Sequence, residues 1–423
     1  MLAPLAPEVI TLGCRLNIAE SENIRSLLGD RDVVVVNSCA VTNEAVKATR
    51  AAIRRARKRR PGAELVVTGC AATIDAAAFE GMAEVDRVVA NPSKLVPDSW
   101  GATTLPSPVR FDGHARALVE VQNGCDHRCT FCAIPFGRGN SRSVPAGAVV
   151  ERIAGLVDAG HREVVLTGVD LTSYGHDLPG APTLGHLVER ILKLVPTLPR
   201  LRLSSLDGIE IDDRLFDLLT GEARVMPHVH LSLQAGDDLI LKRMKRRHSR
   251  AQSVALVNRL KAKRPGIAIG ADIIAGFPTE DEAMFANSFA LIADCDIVHA
   301  HIFPYSPRSG TPASRMPQVP PPVVKDRAAR LRGAAEEHRA RWLATLVGTE
   351  QRVLVEAPGD RGHAENFAEV GLPPAPFALS SSKGCASSPQ DKAKASISPA
   401  RAGDVVLATI GHTTGQKLIG QIS

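Results

Sequence analysis

The first hundred residues alternate short, almost unbroken apolar runs with helical stretches. The runs are Glu8–Leu12, Asp32–Asn37, Glu64–Thr68 and Asp86–Ala90. Runs of this kind predict strands of a parallel sheet covered on both faces. After a Pro/Ser-containing segment, Asn91–Pro108, which reads as a linker, the pattern becomes a repeat of strand and helix. Strands are predicted at Leu118–Gln122, Glu163–Thr167, Leu201–Ser204, Val229–Leu233, Ile267–Ile274 and Ile297–Phe303. Helices are predicted between them near 147–160, 184–195, 212–219, 250–264 and 280–293. Six βα units predict a parallel sheet or partial barrel, short of the closed eight-stranded form. Met316–Pro322 is a proline-rich break, and an Ala/Arg-rich helix follows from about Lys325 to Leu346. Beyond Gly348, strand-like Gln351–Glu356, Ala364–Val370, Asp404–Ile410 and Lys417–Gln421 predict a small antiparallel barrel. It is interrupted by a Ser/Ala/Pro/Lys-rich insertion at 373–399, read as flexible.

The expected fold class is therefore α/β in three domains. These are a parallel-sheet α/β domain over 1–100, a partial six-unit (β/α) barrel with its C-terminal helix over 111–346, and an antiparallel β-barrel over 347–423. A chain of 423 residues with 44% hydrophobic content and a mean hydropathy of −0.01 suits a soluble globular protein of several domains. No apolar run approaches the ~18–20 residues that cross a bilayer, and the N-terminus lacks a basic region followed by an apolar core. The expected location is the cytoplasm, with no membrane partner. The net charge of +6 is modest, but Lys47–Arg60 and Lys242–Arg250 are dense in Lys and Arg. Both are predicted helical. Two such segments point to a polyanion, since Lys/Arg–phosphate contacts dominate nucleic-acid affinity.

Six of the eight cysteines fall into two sets of three. Cys125, Cys129 and Cys132 form C-x3-C-x2-C. Cys14, Cys39 and Cys70 each follow one of the first three apolar runs, and the carboxyl ends of strands in an open α/β sheet are where ligands collect. Disulfides need an oxidising compartment, and structural zinc prefers four ligands in C-x2-4-C pairs. A 4Fe–4S cluster is normally held by four thiolates, so three leave one iron open to bind something else. Cys295 and Cys385 read as small buried apolar residues.

C-x3-C-x2-C opening a run of βα units resembles the radical S-adenosylmethionine enzymes, and the likeness extends over nearly the whole chain to their methylthiotransferases. It is carried by Thr11–Asn17 with Glu20–Glu22, Asn37–Ala45, Val67–Cys70, Gly124–Pro135, Arg138-Gly139 with Ser141–Ser143, His230–Gly236 and Asp272–Pro278. Asn-Ser-Cys-Ala-Val-Thr-Asn-Glu-Ala and Gly-His-Ala-Glu-Asn-Phe look most like the MtaB type, which methylthiolates N6-threonylcarbamoyladenosine next to the anticodon. The isopentenyladenosine-acting branch tends to carry Arg-Glu where this chain has Thr42-Asn43, and a third branch modifies a ribosomal-protein side chain. The interval from Cys14 to Cys39 looks shorter than is usual in the family. The insertion at 373–399 has no recognisable counterpart there.

The resemblance implies an N-terminal methylthiotransferase domain, a radical-SAM barrel and a C-terminal TRAM-like RNA-binding barrel. It implies two 4Fe–4S clusters, one on Cys125, Cys129 and Cys132 that binds S-adenosylmethionine and one on Cys14, Cys39 and Cys70 that carries the sulfur. The 5′-deoxyadenosyl radical would take hydrogen from adenine C2, so no side chain is assigned as a catalytic acid or base. Thr167 and Gly168, with Val169, are placed at the methionine end of the cofactor, and Ser205 and Gln234 as further polar contacts. Tyr305 or Phe136 would stack on the target base, while His299 and His301 are read as structural. The implied partners are tRNA and a reductant protein.

Overall fold

The computed structural model describes residues 6–103, 111, 113–372 and 400–422. At the N-terminus, β1 (Glu8–Thr11), β2 (Val33–Ser38), β3 (Glu64–Gly69) and β4 (Arg87–Val89) form one parallel sheet in that order. Every residue of β2 is buried, which is why Val33–Val36 shows no alternation. The sheet is covered by α1 (Arg15–Leu27), α2 (Asn43–Arg59), α3 (Cys70–Ile74) and α4 (Ala76–Glu80). One face packs Val34, Val36, Leu65 and Val67 against Ile53 and Phe79; the other packs Val33, Val35 and Val66 against Ile24, Leu28 and Trp100. Trp100 corrects the reading of Asn91–Pro108 as a linker. The segment turns through a short 3-10 helix at Pro97–Trp100, and the fully buried indole donates to the Lys94 carbonyl at 2.8 Å. Residues 104–110 lie outside the described ones.

The middle of the chain begins with β5 (Arg116–Glu120). A two-residue ladder, β6 (Gln122–Asn123) with β7 (Arg142–Ser143), brackets α5 (Ile134–Arg138). There follow α6 (Ala146–Asp158), β8 (Glu163–Thr167), α7 (Leu184–Leu194), β9 (Arg200–Leu203) and β10 (Ser205–Leu206). Next come α8 (Asp213–Gly221), β11 (His228–Gln234), α9 (Asp238–Arg243) and α10 (Arg250–Lys263). The last elements are β12 (Ala268–Ala275), α11 (Glu282–Asp294), β13 (Ile297–Pro304) and α12 (Pro321–Thr345). The sheets β5-β8-β9 and β10-β11-β12-β13 are entirely parallel. With β9 and β10 separated only by Ser204, they make the six-unit arc that the sequence predicts.

Strand alternation sorts this arc into two surfaces. Val119, Leu166, Leu203, Leu231 and Ile273 belong to the apolar core. The opposite parity carries Arg116 and Arg202, which both pair with Glu163, and His230 and His301, which both meet Asp272. The concave interior is thus polar, unlike a barrel filled by its own side chains.

Two stretches depart from expectation. Lys242–Arg250 is mostly not helical: α9 stops at Arg243, Lys245 has φ +58°, and Ser249 caps α10 with Gln252 in a reciprocal box. At the C-terminus, β14 (Glu350–Glu356), β15 (Arg361–Ala364), β16 (Glu369–Gly371), β17 (Val405–Thr413) and β18 (Leu418–Ile422) close a barrel in the order β14-β15-β16-β18-β17. The single strand expected over Ala364–Val370 is broken at Glu365–Ala368. This tip reaches the first barrel, where Arg202 donates to the Glu365 carbonyl at 3.1 Å and His299 Nε2 lies 3.2 Å from the Asn366 carbonyl oxygen. The insertion at 373–399 lies outside the described residues. Among those described, no helix is long and apolar enough to cross a membrane.

Candidate active site

Cys14, Cys39 and Cys70 stand where the chain leaves the carboxyl ends of β1, β2 and β3. Close packing fixes these turns. A Cβ on Gly13 (φ +94°) would fall 2.6 Å from the Cys39 side chain, and one on Gly69 (φ +95°) would fall 2.4 Å from the Ser38 carbonyl oxygen. Only glycine meets both demands. Burial pushes the Cys39 thiol up, the Val41 N–H opposes it, and Cys14 and Cys70 raise it further. Three thiols brought together at one sheet edge, with no fourth cysteine there among the described residues, make a soft and incomplete metal donor set.

Cys125, Cys129 and Cys132 occupy the loop between β6 and α5, all half-buried. Burial, with Asp170 second, pushes Cys125 up to about 12. Burial likewise pushes Cys132 up to about 11. Charged groups ring the loop. The His127 ring meets Asp170 at 2.9 Å and, with Glu210 adding to it, is held up to about 10. Arg246 pairs with Asp207 at 3.0 Å, donates to the Ser232 carbonyl at 2.9 Å and brings Nη1 to 3.8 Å from Cys129 Sγ.

The two cysteine sets are neighbours. A Cβ on Gly137 of α5 would sit 3.2 Å from Cys70 Cβ, and Asn91 Nδ2 donates both to Cys70 Sγ (3.5 Å) and to the Gly137 carbonyl (2.6 Å). Arg138 closes α5, fully buried. It donates to Glu20 at 2.8 and 3.0 Å and to Asn17 Oδ1 at 2.6 Å, while Lys94 donates to Glu20 at 2.5 Å. Burial opposes the Arg138 charge, but Glu20, Cys70 and Cys14 outweigh it and raise its pKa well above the ordinary value. A second bridge links the lobes: Arg308 donates to Asn43 Oδ1 at 2.6 Å, beside the Cys39 loop.

The other residues singled out by sequence lie at the same strand ends. Thr167 ends β8 and is buried. Gly168 follows against Gln122, whose Oε1 accepts from Val169 N–H (3.0 Å) and Asp170 N–H (2.8 Å). Ser205 opens β10, exposed, after Ser204, whose buried Oγ has no partner among the described residues. Gln234 ends β11 in left-handed backbone, φ +66°, where the register with β12 slips. Asp170 lies 3.8 Å from Cys125 Sγ, and Arg246 ties Cys129 to Asp207 and Ser232, so the strand ends that carry Thr167, Ser205 and Gln234 lie on the side of this cysteine set. Buried Ser204 Oγ and Asp207 Oδ1, without hydrogen-bond partners among the described residues, fit a polar ligand beside an incomplete thiolate set. Phe136 is 58% exposed on α5, whereas Tyr305 is half-buried, its ring 5.6 Å from Phe277. His299 meets Arg339 at 2.6 Å and His301 meets Asp272 at 3.1 Å. Cys295 is fully buried in the core; Cys385 lies outside the described residues.

The basic segments are less free than their sequence suggests. In and beside α2, Arg54, Arg57, Arg59 and Arg60 face Glu84, Asp86, Glu8 and Asp32, and Lys47 faces Glu44. In the second segment Arg246, Arg247 and Arg250 face Asp207, Glu210 and Asp294. Sequence reasoning also passed over the roles of Gln122, Arg138, Arg246 and Glu20. Arg138 and Glu20 fall within the family motifs, but their pairing spans 118 residues and no local pattern announces it.

The family model described as the radical SAM superfamily matches residues 119–292, and that of uncharacterized protein family UPF0004 matches residues 7–90. The chain is 47% identical over 386 residues to the threonylcarbamoyladenosine tRNA methylthiotransferase MtaB of Rickettsia prowazekii (strain Madrid E), covering 87% of this chain and 91% of that protein. Its identity to the Bacillus subtilis (strain 168) protein of the same name is 33% over 389 residues, covering 84% and 86% of the two chains. A tRNA-2-methylthio-N(6)-dimethylallyladenosine synthase of Erythrobacter litoralis (strain HTCC2594) is 30% identical over 392 residues, with 84% and 88% of the two chains covered. The chain therefore belongs to the radical SAM methylthiotransferases, among the threonylcarbamoyladenosine tRNA methylthiotransferases of the MtaB family.

Proposed function

We propose that this chain is a cytoplasmic tRNA-modifying enzyme that places a methylthio group on C2 of N6-threonylcarbamoyladenosine next to the anticodon. The observation that carries this reading is the meeting of two three-thiol sets at the mouth of one polar barrel, in a chain 47% identical to an MtaB enzyme. Cys125, Cys129 and Cys132 would hold one 4Fe–4S cluster, and Cys14, Cys39 and Cys70 the other. When bound, the clusters and S-adenosylmethionine supply one-electron sulfonium cleavage and the sulfur and methyl groups to be transferred. Thr167, Gly168, Ser205 and Gln234 orient S-adenosylmethionine, with Gln122 pinning the turn after β8. Arg246 and Arg138 balance the negative charge of the two thiolate sets. Residues 1–100 act as the methylthiotransferase domain, 111–346 as the radical-SAM domain and 347–423 as the TRAM-like RNA-binding domain. A reductant protein serves the clusters.

Nucleoside mass spectrometry on tRNA from a deletion strain tests this. Loss of methylthiolated threonylcarbamoyladenosine, restored by the wild-type gene and not by Cys125→Ala, is expected. Loss of the isopentenyladenosine product alone would overturn the substrate.

A further inference from the structure

A cavity of about 340 Å³ lies where α1, strands β5, β8 and β9 and the C-terminal barrel meet, lined by Arg15, Arg116, Leu118, Val165, Arg202 and Phe367, among others. Its charges do not balance. Glu163 is shared by Arg116 (2.8 Å), Arg200 (3.0 Å) and Arg202 (2.8 Å). Glu356 is taken by Arg116 and by His363, and Asp272 by His230 (2.9 Å) and His301 (3.1 Å). No carboxylate among the described residues comes within ion-pair distance of Arg15, and Asp272 and Glu163 act on it only from farther off, against burial and the charges of Arg202 and Arg116. The Arg15 guanidinium has no hydrogen bond or ion pair with any described residue, only the face of Phe367 at 5.6 Å. Arg116 and Arg202 cover the same ring at 5.3 and 4.8 Å, and Arg116 Nη2 is buried without a partner.

Three guanidiniums around one phenyl ring repel one another, and cation–π contact offsets only a part of that. An anion between them removes the imbalance. Phe367 itself is held at φ +69°, a conformation costly for a bulky residue and found where the surroundings impose it. The Arg202–Glu365 and His299–Asn366 contacts do so here. Arg15 directly follows Cys14, so the cavity adjoins the second cysteine set.

We propose that Arg15, with Arg202 beside it over Phe367, is the subsite for the carboxylate of the threonyl substituent. This rests on the substrate proposed above. A threonylcarbamoyl group carries a free carboxylate and a hydroxyl; a dimethylallyl group carries only carbon. An apolar substituent in this cavity would leave Arg15 desolvated and unpaired, so the same residue that attracts the acid repels the hydrocarbon.

The test uses anticodon stem-loops bearing N6-threonylcarbamoyladenosine or its threonine-amide analogue. Binding to the full-length holoenzyme is followed by fluorescence anisotropy, and turnover is measured in parallel. Wild type is expected to bind the acid about thirtyfold tighter than the amide, the equivalent of one charge-assisted hydrogen bond. Arg15→Gln should bring that ratio close to one by weakening the acid alone, and Arg15→Lys should restore most of it. Iron per chain, measured for each variant, shows whether the Cys14 set is still loaded. A wild-type ratio below about threefold overturns the subsite without any variant, as does an Arg15→Gln protein with full iron and the wild-type ratio. If wild type modifies only isopentenyladenosine stem-loops, it is the substrate reading that fails; turnover of the threonylcarbamoyl stem-loop with an unmoved ratio removes the subsite alone.

Discussion

Glu163 begins β8 with no exposure to solvent and with Arg116, Arg200 and Arg202 around it. Burial alone would raise its pKa, but the three guanidiniums outweigh burial and hold it at about 2. A carboxylate depressed in the folded state contributes stability above its unfolded pKa and loses that contribution as pH falls from about 4.5 toward 2. Glu163→Gln takes the shared carboxylate from three buried cations, of which only Arg116 keeps another in Glu356, and the expected loss at pH 7 is about 3–5 kcal/mol in urea unfolding. The gap to wild type should narrow by about 1 kcal/mol at pH 3.5, where wild type has begun to lose the same interaction. A gap that stays constant with pH would mean the carboxylate is not what the arginines depend on. At this scale the sequence was legible where chemistry is local. Cys125, Cys129 and Cys132 declare themselves by spacing, and Cys14, Cys39 and Cys70 by following three apolar runs. Glu163 and Arg15 do not, because what matters about each is a set of partners far along the chain.

Among elements, the apolar runs located the four strands of the N-terminal sheet and six of the seven in the two parallel sheets of the barrel to within a residue or two, since burial on both faces dictates composition directly. The misread segments share one cause: tertiary contacts override a local composition that says something else. Asn91–Pro108 is Pro/Ser-containing, yet Trp100 seats it in a core. Ala364–Val370 looks like a strand, yet Asn366 and Phe367 turn it toward another lobe. In α2 the charge run is real, but neighbouring strands and loops supply carboxylates for most of it. Of the α2 cations, Arg50, Arg55 and Lys58 make no ion pair with a described residue; Arg50 lies over the Phe79 ring, which leaves the exposed Arg55 and Lys58 as the ones most available to phosphate. Arg55→Gln with Lys58→Gln should therefore lower the slope of log affinity for tRNA against log salt by at most about 2, as each phosphate contact contributes ~0.7–0.9. Filter binding over a salt series measures it. A drop of 4 or more would show that the paired arginines leave their carboxylates when RNA arrives.

Across the whole molecule, the three lobes share side chains and do not merely touch. The N-terminal lobe contributes Glu20 of α1 to Arg138 and Asn43 of α2 to Arg308. The C-terminal barrel contributes Glu356 to Arg116, the Glu365 carbonyl to Arg202 and the Asn366 carbonyl to His299. From sequence alone the C-terminal barrel is a detachable RNA-binding unit, whose removal should weaken tRNA binding and spare S-adenosylmethionine cleavage. The contacts argue otherwise. Truncation after Leu346 would uncover Leu343, part of the C-terminal core at the end of α12. It would also take Phe367 away from three arginines and strip partners from Arg116, Arg202 and His299 inside the barrel that the cysteines crown. Each buried polar group left unsatisfied costs about 1–3 kcal/mol, enough together to consume much of a domain's ordinary margin. The truncated chain is expected to unfold at lower temperature in calorimetry and to lose reductive S-adenosylmethionine cleavage along with tRNA affinity. Phe367→Ala, which keeps the C-terminal barrel, should retain cleavage. A truncated protein with full cleavage and unchanged unfolding temperature would show that the C-terminal barrel is a passenger on the radical-SAM barrel and that its inward loop supports nothing there.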